Sequence, residues 1–173
     1  FLALVWPQFF DYNNGMRILG IDPGIERLGW GIIEKNGNEI KKISSGVKKT
    51  LKTQKESERL WEIFVFLDEL IKKEKPNIVS TEKLFFSKNV KTALIIGEVR
   101  GVILAVSQKH GLAVKEFTPP ELKMAVCGYG KAGKESIANM VNLLLNLPKT
   151  RALDDETDAL ALAMAASNVP SFP

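Results

Sequence analysis

The sequence predicts an α/β domain whose core is a five-stranded mixed sheet flanked by helices. Two patterns carry that prediction. Three apolar segments near the start are close enough to pair as neighbouring antiparallel strands, with Asn36-Gly37 marking a hairpin between the second and third. Beyond them, amphipathic helical segments alternate with short strand-like runs, an order that returns each strand parallel to an earlier one. A length of 173 residues suits one such domain, and a chain of this size buries enough surface to hold a core without staples.

The first strand-like run follows Met16 directly, so residues 1–15 read as an N-terminal extension outside the fold. The domain is expected over 16–168, with 169–173 as a tail. Ile18 to Ile21 is a short apolar run stopped by the turn signal Asp22-Pro23-Gly24, which makes it a buried strand. Leu28 to Glu34 and Ile40 to Val47 supply the second and third strands. The lysine-rich stretch 48–55 reads as a solvated connection, and the whole run 41–55 as an ordinary solvated face. Leu60, Ile63, Phe64, Leu67, Leu70 and Ile71 recur every three or four residues and predict a helix over 56–74, broken by Pro76-Asn77. Ile78 to Glu82 is the fourth strand, and a helix over 89–110 ends at Gly111. Val114 to Phe117 is the fifth strand, after which Thr118-Pro119 opens a short helix reaching about Cys127. The loop 128–133 precedes an amphipathic helix over 134–146. The last helix, 154–168, is apolar nearly all round and must be buried.

Composition narrows the chemistry. One cysteine and one histidine exclude a disulfide framework and a Cys/His zinc cluster, so any metal must be held by oxygen. Cys127 and His110 themselves receive no role. A formal net charge of +4 leans mildly toward anionic partners. No segment approaches the roughly 20 apolar residues of a membrane span, and Phe1 to Phe10 lacks the basic leader and cleavage site of a signal peptide. A cytoplasmic protein without a membrane partner is therefore expected.

Certain acidic residues sit where their neighbours make a carboxylate costly. Asp22 ends an otherwise apolar strand, and Glu82 repeats the pattern at the end of Ile78-Val79-Ser80-Thr81. Asp155 and Asp158 are three apart and share one face of a helix that continues as Ala159-Leu160-Ala161-Leu162-Ala163-Met164. Acids in a first helical turn suit the helix dipole, which excuses Asp154, Asp155 and Glu156 better than Asp158. Asp154 also lies within one turn of Asp158, so spacing alone leaves both Asp154 and Asp155 as companions. Sites in open α/β sheets form outside the strand ends. Two carboxylates from strand ends and two from a helix make an oxygen-only cluster suited to magnesium or manganese. Two such ions about 4 Å apart are a recurrent device for in-line displacement at phosphorus. Phosphodiester hydrolysis is the chemistry this cluster points to.

Met16-Arg17-Ile18-Leu19-Gly20-Ile21-Asp22-Pro23-Gly24, followed by Gly29-Trp30-Gly31, resembles the opening of the RuvC family of Holliday junction resolvases. The resemblance continues through Glu82-Lys83-Leu84-Phe85-Phe86, Lys88-Asn89, Gly97 to Gly101, Leu122-Lys123 and Lys134. It closes on Asp155-Glu156-Thr157-Asp158-Ala159-Leu160-Ala161-Leu162-Ala163, and so spans about 16–168 in the family's order. It implies a ribonuclease-H-like three-layer fold, and a homodimer that cuts four-way junction DNA with two magnesium ions per site, for which manganese substitutes. It places the catalytic and metal-holding acids at Asp22, Glu82, Asp155 and Asp158, favours Asp155 over Asp154, and leaves Asp154 as the helix N-cap. It also implies partnership with the branch-migration proteins RuvA and RuvB.

Further residues follow from that resemblance. Phe85 and Phe86 lie close behind Glu82, where an aromatic ring stacks on unpaired bases near the crossover. Lys88, Lys123 and Lys134 are the basic residues nearest the matched motifs and are expected on phosphates. Gly97 and Gly101, four apart on the second helix, suit either helix-on-sheet packing or the family's dimer contact. Two other readings stay open from the residues alone: a related nuclease acting on RNA or RNA–DNA hybrids, and a junction-binding module without activity.

Overall fold

The computed structural model describes residues 15–83, 90–147 and 154–168, with the side chains of 90 and 91 excepted. The expectations for residues 1–14 and 169–173, and those for Phe85, Phe86 and Lys88, lie outside the described residues. Five strands and five helices run in the order β1 Met16–Asp22, β2 Arg27–Asn36, β3 Glu39–Lys49, α1 Glu56–Glu74, β4 Ile78–Glu82, α2 Val90–Lys109, β5 Ala113–Phe117, α3 Pro119–Cys127, α4 Lys134–Leu144 and α5 Asp154–Ser167.

The sheet has the strand order β3-β2-β1-β4-β5. The two hairpin pairs are antiparallel, and β4 and β5 add in parallel to β1. This is the mixed sheet expected from the element order. Gly37, at φ 59°, makes the turn between β2 and β3. Register slips between Ile32 and Ile33 of β2, so that Ile43 is the extra residue on β3. β3 runs to Lys49, past the Val47 end read from its apolar pattern, because Lys48 and Lys49 pair with Leu28 and Arg27 at the start of β2. Lys42, Lys48 and Lys52 pair with Glu156, Glu62 and Glu26, so the lysine run is an ion-paired surface.

Three layers result. Ile18, Ile33 and Ile78 pack with α5 and with Val126, Ile137 and Val141 of α3 and α4 on one side of the sheet. Leu19, Ile21, Leu28, Ile32 and Val79 pack with Ile63, Leu67 and Ile71 of α1 and Val99, Ile103 and Val106 of α2 on the other. Both faces of β1 are therefore covered, which is why its sequence is apolar without alternation. α5 lies directly on the sheet: a Cβ on Gly20 would stand 2.0 Å from the Ala159 carbonyl oxygen, and one on Gly29 would stand 2.0 Å from that of Asp155. Ala159 to Ala166 are all buried, as the apolar sequence requires. Among the described residues no helix is long and apolar enough to cross a membrane.

Candidate active site

Alternation along the strands decides where the strand-end acids point. Ile18 and Gly20 face α5, whereas Leu19 and Ile21 face α1 and α2, so Asp22 is the next β1 residue on the α5 side. On β4, Ile78 packs in the α5 cluster and the Ser80 hydroxyl donates to the Leu162 carbonyl oxygen at 2.7 Å. Glu82 takes that same face. The parallel register pairs Gly20 with Ser80 and Ile21 with Thr81, which sets Asp22 beside Glu82 at the carboxyl ends of adjacent strands.

α5 adds Asp158, four residues before Leu162 and hence on the same side of the helix. Asp22, Glu82, Asp158 and Leu162 line one cavity of about 230 Å³ with Pro119, Leu122 and Lys123 of α3 and Lys134 and Ile137 of α4. Caps aim α3 and α4. Thr118 and Glu121 form a capping box, the Thr118 N–H donating to the Glu121 carboxylate at 2.8 Å, and Pro119 opens the first turn. Gly128 ends α3 at φ 70°, and Gly133 is the N-cap that makes Lys134 the first residue of α4.

The electrostatics are those of acids packed against one another. Burial, reinforced by the charges of Asp158, Glu82 and Asp155, pushes the Asp22 carboxyl up to about 7 against the opposing pull of Lys134. Burial, then the charge of Asp158, raises Glu82. Burial also raises Asp158, although the Lys134 ammonium stands 3.2 Å from its Oδ2 and 3.3 Å from Oδ2 of Asp154. Lys134 itself is raised, because these pairings outweigh its own burial.

Asp155 stands beside the cavity without lining it. Its Oδ2 lies 2.5 Å from Arg27 Nη2, yet the contact is not aligned as a hydrogen bond, and the buried oxygen has no other donor. Glu156 turns toward β3, where the Ser45 hydroxyl and the Lys42 ammonium reach its Oε1. Asp154 is exposed and is already the first residue of α5, one position inside the cap expected of it. Asp22, Glu82, Asp158, Lys123 and Lys134 are thus brought together, with Asp155 adjoining. Pro119 and Ile137 join the lining unannounced, because their apolar character reads as core. Arg27 gave no signal either, being a half-exposed charge at a strand start.

Among the described residues no three acids converge within reach of one ion in this conformation, two of them being engaged by Lys134 and Arg27. The donor set still fits a hard divalent cation. It is oxygen-only, Asp22, Glu82 and Asp158 are raised by burial and by neighbouring acids, a repulsion that a doubly charged ion would relieve, and one buried carboxylate oxygen of Asp155 lacks an aligned donor.

The family model of the crossover junction endodeoxyribonuclease RuvC matches residues 18–166. RuvC of Caldicellulosiruptor saccharolyticus is 47% identical over 150 residues, which are 86% of this chain and 90% of that protein. RuvC of Alkaliphilus metalliredigens is 42% identical over 157 residues, 91% of this chain and 96% of its own. Thermus thermophilus RuvC, solved in complex with Holliday junction substrate, superposes with a TM-score of 0.84 at 31% identity, covering 88% of this chain and 93% of that one. Matched from its first strand to its last helix, the chain belongs to the RuvC family of crossover junction endodeoxyribonucleases.

Proposed function

We propose that the chain resolves four-way junctions by paired symmetric nicks, with Asp22, Glu82, Asp155 and Asp158 holding two magnesium ions, and leaves 5′-phosphate and 3′-hydroxyl ends. The observation that carries this reading is the shared cavity of Asp22, Glu82 and Asp158, with Lys123 and Lys134 at its wall. Dependence on a divalent metal belongs to the family; the two ions, and manganese as a substitute, belong to the proposal. When bound, such ions supply a water nucleophile at neutral pH and offset the charge that develops at phosphorus.

The chain's own residues do the positioning. Asp22 and Glu82 come from adjacent strand ends and Asp158 from a helix seated on the same strands, so their oxygens are set by the main chain. Lys123 and Lys134 receive phosphates at the cavity wall, and Leu122, Ile137 and Leu162 give it a dry floor. Phe85, Phe86 and Lys88 follow Glu82 in sequence and are assigned to the DNA around the crossover. Paired nicks need two sites about a two-fold axis, which a homodimer supplies. Gly101 supports a contact on α2: it is exposed, and nothing lies within 4 Å of where its Cβ would stand, so packing within the chain does not account for it. RuvA and RuvB are the proposed working partners, and the cytoplasm the proposed site of action.

The test is incubation with a synthetic four-way junction, a linear duplex and an RNA–DNA hybrid. Magnesium or manganese should support cleavage of the junction alone, and calcium should support binding without cleavage, its looser coordination fitting in-line attack poorly. Glu82→Gln and Asp158→Asn should bind the junction and leave it uncut. Turnover in EDTA, or either variant cutting at the wild-type rate, would overturn the assignment.

A further inference from the structure

Arg27 opens β2 and meets Asp155 across the start of α5. The backbone explains why. α5 begins directly on Gly29, two residues along the same strand, so the Asp155 side chain is within reach of the strand's first residue. Asp155 engages Arg27 and is not part of the cavity lining, while Asp22, Glu82 and Asp158 are. Its Oδ2 is buried and held by charge alone, without an aligned hydrogen bond. The Arg27 side chain is 44% exposed, and its planar guanidinium fork matches a phosphate as well as it matches a carboxylate.

We propose that Arg27 is a positioning residue that holds Asp155 off the metal site in the free enzyme and exchanges it for a substrate phosphate, so that DNA binding completes the metal site. The inference rests on Asp155 being one of the metal-holding acids. Two features favour exchange over a permanent clamp. The pair is partly solvated, and its geometry is poor for a hydrogen bond. Coupling of this kind is reciprocal: the factor by which DNA tightens metal binding is the factor by which metal tightens DNA binding.

Manganese binding to the DNA-free protein, followed by the electron paramagnetic resonance of the free ion, tests this without recourse to activity. Removing the competing cation by Arg27→Gln should tighten manganese binding about fivefold, the scale of a partly exposed ion pair. Arg27→Met, which keeps the side-chain stem, should behave alike and guards against a folding defect in one variant. Junction binding in EDTA should show a salt slope lower by about one in either variant, the mark of one lost phosphate contact. Manganese affinity equal to or weaker than wild type in both folded variants, or an unchanged salt slope, would overturn the exchange. Asp155→Asn, placed on the Arg27→Gln protein so that nothing holds the acid off the site, separates the two levels of the reading. If it leaves manganese binding unaltered, Asp155 is not a site acid and the underlying assignment fails. If it weakens binding while Arg27→Gln changes nothing, the exchange alone fails.

Discussion

Replacing Asp22 by asparagine should stabilise the metal-free protein, and by more as pH rises. Asp22 is raised from 3.8 to about 7 by burial and by Asp158, Glu82 and Asp155. A carboxyl raised on folding favours the folded state while protonated, so its contribution is present in full below the unfolded value of 3.8 and is lost as pH climbs through about 7. Each unit is worth about 1.4 kcal/mol, so the ionised group costs about 4 kcal/mol above neutrality. The asparagine amide has a burial cost of its own, which leaves a net gain of about 2–4 kcal/mol at pH 8. At pH 4 the gap between the two proteins should shrink below about 1 kcal/mol. Thermal unfolding in EDTA at pH 4, 6 and 8 reads this directly. The expected rise at pH 8 is about 5–15 °C for a chain of this size. Saturating magnesium should reverse the order by stabilising only the protein that keeps its carboxylate. A gain at pH 8 no larger than that at pH 4 would refute the reasoning, because the substitution would then be acting through something other than a strained charge.

Lys134→Ala should weaken junction binding and lower its salt slope by about one; an unchanged slope would make Lys134 a counter-charge for Asp158 and nothing more. Gly20→Ala would force a Cβ against the Ala159 carbonyl oxygen, and overpacking of that kind costs about 1–3 kcal/mol, read by denaturant unfolding; because α5 must lift, cleavage should fall further than binding. Phe85→Ala should slow cleavage of intact junctions about 5- to 150-fold relative to already open ones, the range set by one lost base stack. Phe86→Ala is read in the same way: a loss of about 3–5 kcal/mol of stability that harmed both substrates alike would take that ring off the DNA, so paired rate and melting measurements tell the two roles apart.

The elements that position the site were legible because their signals are local. Ile18 to Ile21 has no polar face, and Asp22 and Glu82 stand out against runs whose burial is dictated by composition. α5 was legible for the same reason, and Asp158 with it: an acid next to Ala159-Leu160-Ala161-Leu162 cannot be an ordinary surface residue. What escaped the reading depends on pairs far apart in sequence. The Arg27 contact exists because α5 rests on Gly29, and no periodicity in either segment encodes that crossing. Glu156 looked like a first-turn acid suited to the dipole, yet it spans to Ser45 and Lys42 of β3. The extension of β3 beyond Val47 was hidden because its last two residues are lysines, which join the strand only by pairing with Leu28 and Arg27 of β2. Asp154 and Asp155 were inseparable by spacing; what differs between them is exposure, which only the packing of α5 decides.

The order of elements along the chain has a consequence for when the enzyme becomes active. The apolar layer on the α1 and α2 side draws on residues up to Val114, its fully buried members ending at Val106, whereas the opposite layer needs α3, α4 and above all α5. A chain leaving the ribosome can therefore close one half of its core while the other half is still being made. Asp22 is synthesised among the first strand residues and its helical partners among the last, so the site is a long-range contact that spans most of the domain. A nascent or truncated chain ending before 154 has Asp22 and Glu82 on its sheet but neither helical acid and no cover over Gly20. On the proposed assignment such a chain lacks two of its four acids, so cleavage should await the helix that completes the fold.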